Sequence, residues 1–230
     1  MINLREKLYE LADKKYKEFQ GELCPNSDDI LGVRMPKLRE MAKKISKEEG
    51  IEFLDEYKPE YYEEKLIYGM VIGYTKMPIE IRLKYLDEFV PIMDNWAVCD
   101  GACATYKFTT NNLEDMWKYI QKYINSEKEF EVRFAVVMMM EYYINDEYID
   151  KVLEIYNNIS LDKYYVKMGI AWGISEAFVK YEEKTMKFLK SKNNKLDKFT
   201  FNKSLQKIIE SYRVSDETKK TIRQMKIKII

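Results

Sequence analysis

The chain has 230 residues, 46 % hydrophobic and 34 % charged, enough apolar material to bury a sizeable core without disulfide staples. Histidine is absent, which removes the usual general base, the Ser/His and Cys/His dyads and the commonest metal ligand. Lys and Arg (39) balance Asp and Glu (39), but unevenly: residues 184–230 carry 14 basic and 4 acidic side chains, a net of +10 that leaves −10 on residues 1–183.

The opening segment MINLREKLYE is charged within its first five positions and lacks an apolar signal core. No apolar run approaches the roughly 18 residues of a membrane span, so a cytoplasmic chain with no membrane partner is expected. Cys24, Cys99 and Cys103 cannot make a paired disulfide framework, and without histidine they cannot complete a Cys/His zinc set. No metal and no cofactor is expected. Only 8 Gly and 5 Pro interrupt the chain. Met35-Pro36, Lys58-Pro59, Met77-Pro78 and Val90-Pro91 each precede an amphipathic stretch, where proline suits the first turn of a helix. Over 78–90, Ile79, Ile81, Leu83, Tyr85, Leu86 and Phe89 crowd one side of a 3.6-residue period, opposite Glu80, Arg82, Lys84, Asp87 and Glu88. Ser126 with Glu129 reads as a capping box for a helix through Ile144, and Ser160 followed by Asp162 opens another to about Lys180. Strand-like alternation is missing. These patterns predict an all-α fold of about a dozen helices in a single domain over 1–230. Helix pairs recurring at about 35–45 residues point to a curved α-solenoid of HEAT-like two-helix repeats, with the second helix of each pair on a concave face; a compact bundle is the alternative.

Four residues do not look like core. Within Asp94-Asn95-Trp96-Ala97-Val98-Cys99-Asp100, Trp96 and Asp100 are four apart and share one helical face. The plain alternative is a core tryptophan with Asp100 as a solvated edge residue or cap. Arg133 sits in the apolar run Phe130-Glu131-Val132-Arg133-Phe134-Ala135-Val136-Val137-Met138-Met139-Met140 and needs a carboxylate or a phosphate; Glu131 and Glu141 are the local alternatives. Trp172 lies in Gly169-Ile170-Ala171-Trp172-Gly173-Ile174, where two glycines, each about 1 kcal/mol less favourable than alanine in a helix, permit close approach of a backbone or a ligand. An ordinary core tryptophan is the alternative. Asp100 to Arg133 is 33 residues and Arg133 to Trp172 is 39, each about one helical repeat. That spacing can bring two aromatic faces, a carboxylate and a guanidinium onto one concave strip.

Gly32-Val33-Arg34-Met35-Pro36-Lys37-Leu38-Arg39-Glu40-Met41-Ala42-Lys43 resembles the N-terminal G-V-x-x-P-x-L-R-x-x-A-K signature of the AlkD family of DNA glycosylases. Asn95-Trp96 with Asp100 is similar to that family's N-W-x-x-x-D segment, Phe130 to Ala135 to its aromatic-x-x-R-x-A helix, and Trp172 to its G/A-W-x-x-x-E segment. Phe201-Asn202-Lys203-Ser204-Leu205-Gln206-Lys207 looks like its terminal basic helix. The resemblance implies a right-handed, C-shaped solenoid whose concave surface holds duplex DNA containing alkylated bases, acting as a monomer. It implies hydrolysis of the N-glycosidic bond of cationic alkylpurines such as 3-methyladenine and 7-methylguanine, without insertion of the base into a pocket, unlike most base-acting enzymes. Trp96 and Trp172 would lie against the sugar, Asp100 near the anomeric carbon and Arg133 near a backbone phosphate.

Such chemistry does not need histidine. A purine alkylated at N3 or N7 already carries positive charge and leaves without a general acid. A carboxylate stabilises the oxocarbenium-like sugar that remains and orients a water, and aromatic faces add about 0.5–2 kcal/mol each. Lys43, Ser175, Lys187, Lys190, Lys203 and Lys207 are the expected DNA contacts. Around the last four, Lys184, Lys192, Lys195, Lys198, Lys219, Lys220, Arg223, Lys226 and Lys228 complete a basic block able to grip phosphates, with a solvated lysine-rich face as the plain alternative. Three positions depart from the family's pattern: Ala97 stands where an acid is frequent, Val132 replaces a frequent arginine, and Ser175 stands where active members commonly carry arginine. A catalytically weak or silent homologue that binds damaged or branched DNA is therefore the second reading, and a protein-interaction solenoid the third.

Overall fold

The computed structural model describes residues 3–25, 27 and 29–226, so Lys228 lies outside the described residues. Among the described residues all regular structure is helical, with fourteen α-helices and no strand. In chain order they are α1 (Leu4–Leu11), α2 (Lys14–Leu23), α3 (Met35–Glu48), α4 (Gly50–Glu56), α5 (Tyr62–Tyr74), α6 (Ile79–Phe89), α7 (Trp96–Cys103), α8 (Leu113–Gln121), α9 (Glu129–Tyr142), α10 (Ile149–Asn158), α11 (Tyr164–Lys180), α12 (Glu182–Leu189), α13 (Lys198–Glu210) and α14 (Asp216–Gln224). None is long and apolar enough to cross a membrane.

Two of the four prolines meet their expected helices. Pro36 lies in the first turn of α3, and Pro78 immediately precedes α6. Pro59 instead stands three residues ahead of α5, and Pro91 sits in a short 3-10 turn, Val90–Ile92, that follows α6. The capping box expected at Ser126 and Glu129 does not form. α9 starts after Lys128 with no side-chain cap, and the Ser126 hydroxyl accepts from Lys128 N at 3.1 Å and donates to Glu131 at 2.7 Å. Glu129 is taken by the next long helix, where its carboxylate accepts the Tyr165 N–H at 2.6 Å in the first turn of α11. α11 itself begins at Tyr164, two residues after Asp162, whose carboxylate pairs with Lys167 at 2.6 Å.

The chain folds into two compact units, Met1–Tyr119 and Ile120–Ile230, the division falling within α8. In the first unit α3, α5 and α7 lie side by side, with α1, α4 and α6 packed against α5. Ten residues of α5 are buried, including two carboxylates, Glu63 and Glu64. Glu63 organises the loop ahead of α3. It accepts from the backbone N–H groups of Leu31 (2.9 Å), Gly32 (2.7 Å) and Val33 (3.1 Å), so the Gly-Val pair at the head of the N-terminal signature is held by a buried anion. Gly32 has φ +100°, and a Cβ there would stand 2.5 Å from the Asp13 carbonyl oxygen.

Glu64 accepts two bonds from the Arg5 guanidinium, at 2.7 and 3.0 Å, and one from Glu60 N at 2.8 Å. Burial alone would raise its carboxyl, but Arg5 and the backbone donors hold it below the ordinary value of 4.5. A carboxyl depressed in the folded state contributes stability above its unfolded pKa and loses it as pH falls through the folded one. Stability should therefore decline below about pH 4.5. Arg5→Ala should move the acid-unfolding midpoint, followed by circular dichroism, to higher pH; an unmoved midpoint would show that Arg5 is not what depresses Glu64.

In the second unit α9, α11 and α13 lie side by side, α10 and α12 pack on α11 and on each other, and α14 packs on α13. Polar tethers recur there at separations of 32–37 residues. Arg133 reaches Tyr165 O across 32 residues, Lys184 reaches Asp150 across 34, Tyr181 reaches Asp146 across 35, Tyr165 N reaches Glu129 across 36 and Arg213 reaches Glu176 across 37.

Candidate functional site

The first unit carries Trp96 and Asp100 on α7, a helix set in place by a chain of polar contacts. Lys65 on α5 bridges Asp29, at 2.9 Å, and Asp94. Asp94 accepts the Asn95 side-chain amide at 2.8 Å, and Asn95 caps the helix by accepting Val98 N at 2.9 Å. Burial alone would lower the Lys65 ammonium, but its two carboxylates hold it above its usual value. Ala97, Val98, Cys99, Ala102 and Cys103 are buried, and Gly101 brings the helix within 2.9 Å of Leu66, measured from an ideal Cβ. Trp96, Asp100 and Gly101 are thus the only residues of α7 that are not buried. Asp100 is the fifth residue of the helix and not its cap, a position Asn95 holds. The Trp96 indole donates to Leu23 O at 3.0 Å, satisfying one of the orphan carbonyls that end α2 and fixing the ring.

The second unit carries Arg133 and Trp172. Arg133 is the fifth residue of α9, the rank Asp100 has in α7, whereas Trp172 is the ninth of α11, one turn further along its helix. Arg133 is buried, and its Nη1 donates to Tyr165 O at 2.5 Å, with the guanidinium carbon 6.0 Å from the Tyr165 ring centre. Glu131, one of its expected partners, is occupied by Ser126 and Lys128.

The two glycines around Trp172 make room for protein, not for a ligand. An ideal Cβ on Gly169 would lie 3.2 Å from Val136 and 3.4 Å from Arg133 Nη1, and one on Gly173 would lie 2.5 Å from the hydroxyl of Tyr156. Tyr156 is fully buried and donates to Val136 O at 2.9 Å, so it has little room to retreat. Gly173→Ala should cost about 1–3 kcal/mol of overpacking, offset by about 1 kcal/mol of helix propensity. A lowered urea midpoint would show it; a stabilised variant would mean that Tyr156 yields.

Trp172 itself is half-buried and lines an open cleft of about 350 Å³ with Ser175, Glu176, Lys207, Glu210, Ser211, Tyr212 and Arg213. Three expected site residues, Trp172, Ser175 and Lys207, therefore meet. Ser175 is buried at the base, and Arg213 pairs with Glu176 at 2.7 Å. The expected DNA contacts do not all line this cleft. Lys184 and Lys187 line a different cleft with Asp150 and Phe188, where Lys184 pairs with Asp150 at 2.7 Å. Lys190 is exposed at the end of α12, and Lys203 holds its ammonium 5.6 Å over the Phe199 ring. In the first unit Lys43 is exposed, 5.8 Å over the Tyr74 ring.

A family model described as DNA alkylation repair enzyme matches residues 4–208. The chain belongs to that family. No curated protein and no solved structure matches it. In this DNA alkylation repair family member the three departing positions, Ala97, Val132 and Ser175, are all buried. No group of three or more His, Cys, Asp or Glu side chains among the described residues is arranged to hold a metal ion. Tyr212 and Arg213, by contrast, are invisible to motif reading, since they sit in a turn without a pattern and Arg213 enters only as one positive charge among fourteen.

Proposed function

We propose that the protein is a DNA glycosylase that hydrolyses the N-glycosidic bond of cationic alkylpurines, 3-methyladenine and 7-methylguanine, in duplex DNA. The observation that carries this reading is on α7, where an indole and a carboxylate one turn apart are what an otherwise buried helix offers to solvent. Asp100 stabilises the oxocarbenium-like sugar and orients the attacking water, and Trp96 presents a ring face to the developing cation. Trp172, in the second unit, offers a further ring that can lie along a sugar of the duplex. Arg133, already donating to Tyr165 O, directs its guanidinium toward a backbone phosphate. The leaving purine is positively charged and needs no proton, which suits a chain without histidine. Alternation of side-by-side helices with covering ones inside each unit supports HEAT-like two-helix repeats.

Incubation with duplex DNA treated with N-methyl-N-nitrosourea should release both methylpurines above an enzyme-free control. Absence of release overturns the reading. A second reading has its own support in the buried residues at 97, 132 and 175: a homologue that binds damaged or branched DNA without excision. Tight, salt-sensitive duplex binding with no release favours it.

A further inference from the structure

The outer wall of the Trp172 cleft lies beyond residue 208, where the family match ends. It is the turn Ser211-Tyr212-Arg213 between α13 and α14. Tyr212 is fully exposed, with its ring in no aromatic or cation contact among the described residues, while the next residue but one, Val214, is buried and anchors the turn. Burying a tyrosine ring against a partner is worth more than leaving it in water, so a large aromatic held at a fixed, exposed turn beside a tryptophan is suited to a ligand. Arg213 leans back across the cleft onto Glu176. Only Nη2 is engaged, at 2.7 and 2.9 Å, so Nε and Nη1 remain to donate elsewhere in the planar fork that suits phosphate. Lys207, in the same cleft, makes no ion pair among the described residues, and Glu210 is turned onto Gln206 of its own helix at 2.6 Å.

We propose that Arg213 and Lys207 hold one phosphodiester of duplex DNA in this cleft, and that Tyr212 lies against the adjoining sugar and base. Ser175, buried at the base of the cleft, cannot supply that cation, and the C-terminal turn supplies it from outside the matched region. Glu176 is a positioning residue that sets the guanidinium. The inference rests on the proposed function only in taking duplex DNA as the partner.

The test is binding of the full chain to a labelled undamaged duplex, by fluorescence anisotropy, from about 50 to about 200 mM salt. Arg213→Ala should lower the slope of log K against log salt by about 0.9, one phosphate's worth of released counterion, and Arg213→Lys should restore it. Tyr212→Ala should weaken binding at least about fivefold with the slope unchanged, because the ring buries apolar surface against the duplex but carries no charge and releases no counterion. A wild-type slope in Arg213→Ala, or wild-type affinity in Tyr212→Ala, overturns the subsite. Duplex binding with these variant effects but no methylpurine release leaves the subsite standing and sinks the glycosylase reading alone; excision with unaffected variants does the reverse.

Discussion

Asp100→Asn is expected to reduce methylpurine release by about 10²–10³-fold while duplex binding changes little. The substitution keeps the shape of the side chain and removes its charge. If the carboxylate acts on the sugar as positive charge develops, its stabilisation appears in the transition state and hardly at all in the bound ground state, so it is lost from the rate and not from affinity. A factor of 10²–10³ corresponds to about 3–4 kcal/mol, the size found when one preorganised electrostatic partner is removed from a sheltered site. Single-turnover release from methylated DNA, with binding measured in parallel, separates the two effects. Equal release from the variant would leave Asp100 with no part in the chemistry. A parallel fall in release and binding would place its role in holding DNA.

Glu63→Ala should cost at least about 3 kcal/mol of stability. Three backbone N–H groups lose a charged acceptor at once, in a loop where Leu31 and Val33 are buried and water has little access to replace it. Glu63→Gln retains an acceptor oxygen but substitutes a donor for the second one, which would face the Leu31 N–H, so its loss should be intermediate. Urea denaturation of the two variants gives the order. An alanine variant within about 1 kcal/mol of wild type would show that the loop finds other partners when the carboxylate is gone.

A helix such as α6 is legible in the sequence from its 3.6-residue period, although Arg82, expected on its polar side, is buried with Tyr85, Leu86 and Phe89. α6 spans Ile79–Phe89 inside the expected 78–90, and α11 ends at Lys180 as expected. Their beginnings are less legible. A capping box is a local motif, and Glu129 has a partner on another helix, the Tyr165 N–H, in place of the local one. At the candidate site the shared face of Trp96 and Asp100 can be read from a four-residue spacing, since helix geometry alone settles it. Arg133 stands out as a cation in an apolar run, and the Tyr165 carbonyl among its partners is not one that a charge pattern can point to. The glycines beside Trp172 signal close approach correctly, but not that Tyr156 and Val136 are what approaches. The basic block is visible as a count. A count has no geometry, which is why Lys187 and Lys207 line different clefts.

The tethers of the second unit, spanning 32–37 residues, bear on how that unit comes apart. Each joins a helix pair to its immediate neighbour and to nothing further away. Cohesion of this kind is passed hand to hand, as in a stack of coins, and does not depend on one shared keystone. Shortening the chain from its C-terminal side should therefore peel the stack a layer at a time, α14 first and then α13. The Trp172 cleft, built between the last of those layers, would be dismantled while α9 and α11 were still folded against each other.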